Sequence, residues 1–182
     1  MEISLYRTHD TKTHLGCDAA HFGISYPRFS DENMDFLNNF IENKAKAFSE
    51  FVKNTAFDKA VSDLKAHIEE GKRRSAFPLK EYTMNIRVIS EHDKYISLKD
   101  EIILLSAGII KAYILEYSTW DTKNRVLCPL SEFIKKNKQK CDGFYLKDGT
   151  PHLYKLTYIW KEKDCKLRDK GLFITELNIN NK

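Results

Sequence analysis

The densest set of ligand-type side chains lies near the start of the chain, where His14, Cys17 and His21 follow the spacing His-x2-Cys-x3-His, with His9 and Asp18 close by. Imidazole and thiolate are good zinc ligands, and a structural zinc site closes on four of them. Three ligands on so loose a spacing make a poor closed site, because the next cysteine is Cys128. No bound metal is therefore expected at His14, Cys17 and His21. A nucleophile needs a base and an orienting group beside it. Neither G-x-S-x-G nor a protease-type cysteine context occurs, and His67, His92 and His152 have no spacing that converges them. The seven glycines never form G-x-G-x-x-G or G-x-x-x-x-G-K, so no phosphate-cradling loop is predicted. The pattern assigns no catalytic residue, no metal and no cofactor.

Basic residues cluster at Lys72-Arg73-Arg74, at Lys135, Lys136, Lys138 and Lys140, and over residues 161–170. Acidic residues interrupt the last cluster, and the second suits a helix end, where cations meet the dipole favourably. A nucleic-acid face needs aromatic stacking partners beside its cations. Tyr154, Tyr158 and Trp160 are the only ones near, on a strand where packing roles are the rule. The clusters read as solvated surface, and no nucleic-acid partner is expected. The charge balance agrees: 30 basic against 26 acidic residues leave only +4.

With 182 residues the chain suits a single domain, 1–182, large enough to bury roughly 70% of its unfolded surface. Apolar residues make up 42% and charged residues 31%, a globular balance with none of the depletion of a disordered chain. No run of 18 apolar residues occurs, so no membrane span is predicted. The start Met-Glu-Ile-Ser-Leu-Tyr-Arg has no apolar stretch behind a basic end, which reads as cytoplasmic. In that setting Cys17, Cys128, Cys141 and Cys165 read as reduced thiols.

The elements that must position these side chains are legible in the periodicity. Residues 1–21 read as irregular, and Phe22 to Tyr26 as an edge strand or extended segment before Pro27. Ser30-Asp31-Glu32-Asn33 supplies N-cap chemistry for a helix over residues 31–53, with Phe36, Phe40, Ile41 and Phe48 on its buried stripe. A second helical stripe, Phe57, Ala60, Val61, Leu64 and Ile68, ends at Gly71. The period then falls to two: Tyr82, Met84, Ile86 and Val88 mark a strand, followed by strands at 95–106 and 111–120 joined by polar turns. A short helix is expected over 130–138, and further strands at 144–146, 152–160 and 172–179. The fold class is α+β: an antiparallel sheet with one long N-terminal helix and one or two shorter helices on one face. Within the third strand, alternation puts Trp120 on the side of Ala112 and Ile114. A core role is nonetheless expected for it, since aromatics ending a strand cover the sheet edge, with an exposed glycan-stacking platform as the other reading.

One ordered series of short motifs says more. Tyr26-Pro27, Asn38-Asn39-Phe40-Ile41, Ser97-Leu98, Gly108, Thr119-Trp120-Asp121 and Leu130-Ser131-Glu132-Phe133 follow one another over residues 22–133. That order resembles the extracytoplasmic domain of RsiV-type anti-sigma factors, a domain of unknown function also found beside catalytic modules in some peptidoglycan deacetylases. Where that family shows Y-x-G-G-A-H-G, this chain has Leu105-Ser106-Ala107-Gly108-Ile109-Ile110-Lys111, keeping one glycine and lacking the histidine. The resemblance implies a shortened, divergent α+β module that binds or senses and carries out no reaction. It implies a partner such as a lysozyme or a cell-wall glycan, and an extracytoplasmic place. It transfers no catalytic residue; Ser97, Gly108, Trp120 and Asp121 are its ligand-binding or structural positions. The alternative is a hydrolase or metal-dependent enzyme built on the His-rich N-terminal segment.

Overall fold

The computed structural model describes residues 2–134, 141–159 and 170–177. The chain order is β1 (Ile3–His14), β2 (Cys17–Phe29), α1 (Asp35–Phe51), a π-helical turn (Val52–Ala56), α2 (Phe57–Glu69), β3 (Lys80–His92), β4 (Tyr95–Ser106), β5 (Ile109–Asp121), β6 (Val126–Leu127), β7 (Gly143–Lys147), β8 (Thr150–Ile159) and β9 (Lys170–Leu177). Strands β1 to β6 form one sheet in sequence order, and β7 to β9 form a second. This is the expected α+β class. Two compact units divide the chain, Met1–Ile86 with Glu101–Ile114, and Arg87–Asp100 with Leu115–Lys182. Strands β3, β4 and β5 run through both.

In the first unit, residues 1–21 are not irregular: β1 and the start of β2 make a long antiparallel hairpin. The turn is Leu15-Gly16, with φ of 50° and 74°, the left-handed pair of a type I′ turn. Strand β1 is exposed along most of its length, so neither face selected apolar residues and no alternation betrays it. Strand β2 is flanked on both sides, which corrects the reading of 22–26 as an edge. Its pairing with β3 covers Ala20 to Ser25, so Pro27, which has no N–H to offer, lies beyond that ladder. The β2–β3 pair is parallel, whereas β1–β2, β5–β6, β7–β8 and β8–β9 are antiparallel.

The helix runs on from Asp35 to Glu69 with the π turn inside it, where two helices were expected. After Phe48 its buried positions are Val52, Ala56, Phe57, Ala60 and Leu64, with spacings of four and five across the π turn. Those spacings exceed the regular period of about 3.6 residues per turn, and the wider π turn takes up the excess. The buried stripe is Met34, Leu37, Ile41, Ala45 and Phe48; Phe36 and Phe40 are only half-buried, at the margin of that stripe. Phe22 of β2 meets Phe48 at 5.8 Å and Phe57 at 6.4 Å between ring centres, so the long helix packs on β2 through aromatics. Asp31 caps the first turn by accepting from the Asn33 N–H at 2.9 Å, and Gly71, at φ 74°, closes the end as a C′ residue. No helix among the described residues is long and apolar enough to cross a membrane.

The second unit holds the three-stranded sheet. Phe144, Leu146 and Leu153 form its core, covered by Tyr95, Leu130, Phe133, Ile134 and Cys141. The expected helix over 130–138 is a single 3-10 turn, Leu130–Glu132, with Pro129 at the cap position; residues 135–140 lie outside the described residues. Pro129 cannot cap through a side chain, and the turn serves to seat Leu130 and Phe133 on that core. Trp160, the basic stretch 161–169 with Cys165, and the end of the last expected strand also lie outside.

Asn38 joins helix to sheet in the first unit. Buried, it accepts from the Phe29 N–H at 2.9 Å and donates to the Phe29 carbonyl at 2.9 Å. Asn38→Ala would strand both backbone groups, at about 1–3 kcal/mol each. Urea unfolding should therefore show a loss of at least about 2 kcal/mol; a change below about 0.5 kcal/mol would show that water replaces the amide.

Candidate functional site

The motif residues separate by unit. Gly108 sits in the first, at the tip of the β4–β5 hairpin, where Ala107 and Gly108 take φ of 53° and 74°. A Cβ on Gly108 would meet nothing within 4 Å, so the backbone angle alone favours glycine there. Ser97, Trp120 and Asp121 belong to the second unit.

Alternation along β5 decides their roles. Leu115, Thr119 and Asp121 share the buried face; Ile114 and Glu116 share the exposed one with the half-buried Trp120. The expected core role for Trp120 is corrected, because strand parity outweighs aromatic preference. Its indole N–H donates to Ser118 Oγ at 3.0 Å, and Trp120 pairs across the ladder with exposed Leu127. The buried members of the motif are its neighbours on either side.

Asp121 is 1% exposed, and its carboxylate is fully engaged. Oδ1 accepts from the N–H groups of Lys123 at 3.0 Å and Asn124 at 2.9 Å; Oδ2 accepts from the Asn124 side-chain amide at 2.8 Å and from Lys94 Nζ. These bonds close the turn after β5 as an Asx-type turn and tie it to the β3–β4 turn. Thr122 strengthens that tie, its N–H and hydroxyl both donating to the Lys94 carbonyl at 2.8 and 2.9 Å. Burial alone would raise the Asp121 carboxyl; the bonds from Lys94 and Asn124 and the Lys94 charge outweigh it and hold the pKa at about 2, below the ordinary 3.8. The same bond raises Lys94.

Ser97 is the second buried polar node. Its hydroxyl lies 2.9 Å from Thr119 Oγ1 and accepts from the Leu146 N–H at 3.0 Å, linking β4, β5 and β7. Leu130 and Phe133 of the last motif cover the neighbouring core, with Phe133 against Tyr95 at 5.1 Å and Phe144 at 5.5 Å. Cys128, also buried, has its thiol pushed up to about 11, by burial first and then by Glu132, so it is protonated at neutral pH and a weak nucleophile.

The N-terminal ligand set does not converge. His14 and Cys17 pair across the hairpin turn, but His21 lies four residues further along the strand, beyond the bulge between Asp18 and Ala20. His21 instead bonds Asp18 at 3.0 Å. Among the described residues no three His, Cys, Asp or Glu side chains are grouped to hold a metal. Sequence reasoning missed Lys94, whose only signal was a lysine at a turn, and it marked Asn38 through the motif order without giving it a role.

Because the Asp121 pKa is lower folded than unfolded, its contribution is complete above about pH 4 and lost as the pH falls to about 2. Asp121→Asn should lower stability at neutral pH by about 1.5–3 kcal/mol. The difference between wild type and variant, measured by denaturant unfolding, should shrink as pH falls from 4 to 2. A difference constant over that window would show that the carboxylate is not ionised for the fold.

No known family model matches the sequence, and no curated protein matches it. The solved structures that match include two DUF3298 proteins. A DUF3298 family protein from Pseudomonas aeruginosa PAO1 is 14% identical with a TM-score of 0.47, the match covering 72% of this chain and 56% of that one. A member of the DUF3298 family from Bacteroides fragilis NCTC 9343 is 14% identical with a TM-score of 0.52, covering 72% and 60%. The chain thus spans less than two thirds of either. With the Bacteroides protein it shares the fold of a bacterial domain of unknown function.

Proposed function

We propose that this chain is a non-catalytic binding or sensing domain of the bacterial cell-envelope kind. One observation carries the reading: the Asp121 carboxylate and the Ser97 hydroxyl are spent on the fold itself. Asp121 accepts four hydrogen bonds, as many as a carboxylate has lone-pair positions. With a pKa near 2 it is also a poor proton acceptor at neutral pH. Ser97, bonded to Thr119 and Leu146, has no histidine among those partners to activate it. What the T-W-D element offers outward is Trp120, half-buried beside exposed Leu127, an amphipathic surface suited to recognition. A lysozyme-type protein or a cell-wall glycan is the partner the sequence resemblance favours.

Calorimetric titration against a lysozyme and against soluble peptidoglycan fragments tests this. One of the two should bind without being converted, and Trp120→Ala should weaken that binding. The same variant should cost about 1–2 kcal/mol of stability, below the 3–5 kcal/mol of a fully buried indole. Peptidoglycan cleavage or acetate release by the purified chain, abolished by His14→Ala or His21→Ala, would overturn the reading in favour of an enzyme.

A further inference from the structure

The basic cluster Lys72-Arg73-Arg74 reads from sequence as solvated surface, yet two of its members line a cleft in the first unit. The cleft, of about 770 Å³, lies between the β1–β2 hairpin tip (Gly16, Cys17, Asp18) and the segment joining α2 to β3 (Arg73, Arg74, Ser75, Phe77, Leu79). That volume is within the range of small-molecule sites.

Its walls are held in place by the fold. Arg74 Nη1 donates to the Leu15 carbonyl at 3.1 Å, a bond that uses one of five guanidinium donors and aims the group at the hairpin tip. The Arg73 carbonyl is bonded to His67 Nε2 at 2.9 Å and accepts from the Ala76 N–H at 3.0 Å; the Arg74 carbonyl accepts from the Phe77 N–H at 3.1 Å. His67 also packs edge-on against the Phe77 ring at 5.6 Å. Lys72 is turned to Glu70 by an ion pair. The cleft lining thus combines Arg73, Arg74 and Ser75 with the apolar Phe77 and Leu79, and the backbone of the arginine segment and the Arg74 guanidinium are held before any ligand arrives. Preorganisation of this kind removes much of the ordering cost of binding.

We propose that this cleft binds an organic carboxylate, its oxyanion on Arg73 and Arg74 and its apolar body on Phe77 and Leu79. Guanidinium forks match a planar carboxylate in bidentate geometry. Asp18, paired with His21, is the one acidic residue of the lining, and a carboxylate there disfavours a dianion such as phosphate more than a monoanion. The lining belongs to the first unit and Trp120 to the second, so the test is independent of the sensing role.

The experiment is an amide NMR titration of the full chain with benzoate, acetate and inorganic phosphate as probes. Benzoate should shift the signals of Gly16, Cys17, Asp18 and Ser75 saturably, and acetate, lacking an apolar body, should bind at least tenfold more weakly. Arg73→Gln should weaken benzoate roughly ten- to hundredfold, the loss of one charge-assisted contact. Arg74→Gln also gives up the bond to Leu15, so Arg74→Lys is the companion variant, expected to keep the fold and part of the affinity. Phosphate binding tighter than benzoate, benzoate affinity unchanged in Arg73→Gln, or no saturable shift would each overturn the proposal.

Discussion

Parallel strands cannot be joined by a tight turn, and the parallel β2–β3 pair is the constraint from which the first unit follows. A long crossover is needed, and the chain supplies it as an unbroken helical run from α1 through the π turn to α2. That run must lie on the sheet it crosses, so its apolar stripe faces Phe22 and its neighbours on β2. The Asn38 amide sets where β2 stops and the helix begins, because it completes both backbone bonds of Phe29. Register between strand and helix is thus specified by a polar group, and the packing energy comes from the aromatic contacts beside it. At the far end, Gly71 terminates the helix and leads into the arginine segment that forms one wall of the cleft.

In the second unit the organising group is a buried charge. An aspartate with 1% exposure is tolerable only when its lone pairs are met, and Asp121 meets them with two turns at once. Ser97 does the same with a neutral hydroxyl, holding Leu146 of the small sheet against β4. Buried polar nodes that are fully satisfied rigidify their surroundings, which the proposed recognition surface would require. The chemistry spent inside leaves the outward face of β5 and β6 to Trp120 and Leu127.

Helix and strand identity from residue 30 to 121 was legible in the sequence because periods of 3.6 and 2 report which face is buried. The caps at Asp31 and Gly71 were legible for the same local reason, since their chemistry acts within a turn. The motif order also marked residues that the fold uses: Asn38, Ile41, Ser97, Asp121, Leu130 and Phe133 are each seated in a core or a buried bond network. Strand β1 was illegible because an edge strand exposed on both faces carries no pattern. Ile41 and Phe48 of the expected stripe are buried, whereas Phe36 and Phe40 sit at its margin beside Leu37 and Ile41 and are only half-buried.

What the sequence determined by itself was therefore local: periods, caps, turns, and the residue types available for chemistry. Tertiary structure decided everything that depends on distance across the chain. It paired β2 with β3 across the helix, brought Lys94 to Asp121, and set Leu15 against Arg74. It also spread His14, Cys17 and His21 along an extended hairpin, where a helix would have gathered residues at such spacings on one face. The physical reason is that a one-dimensional pattern encodes which side of an element is buried, whereas partnership between polar groups is settled by where the packed elements bring them.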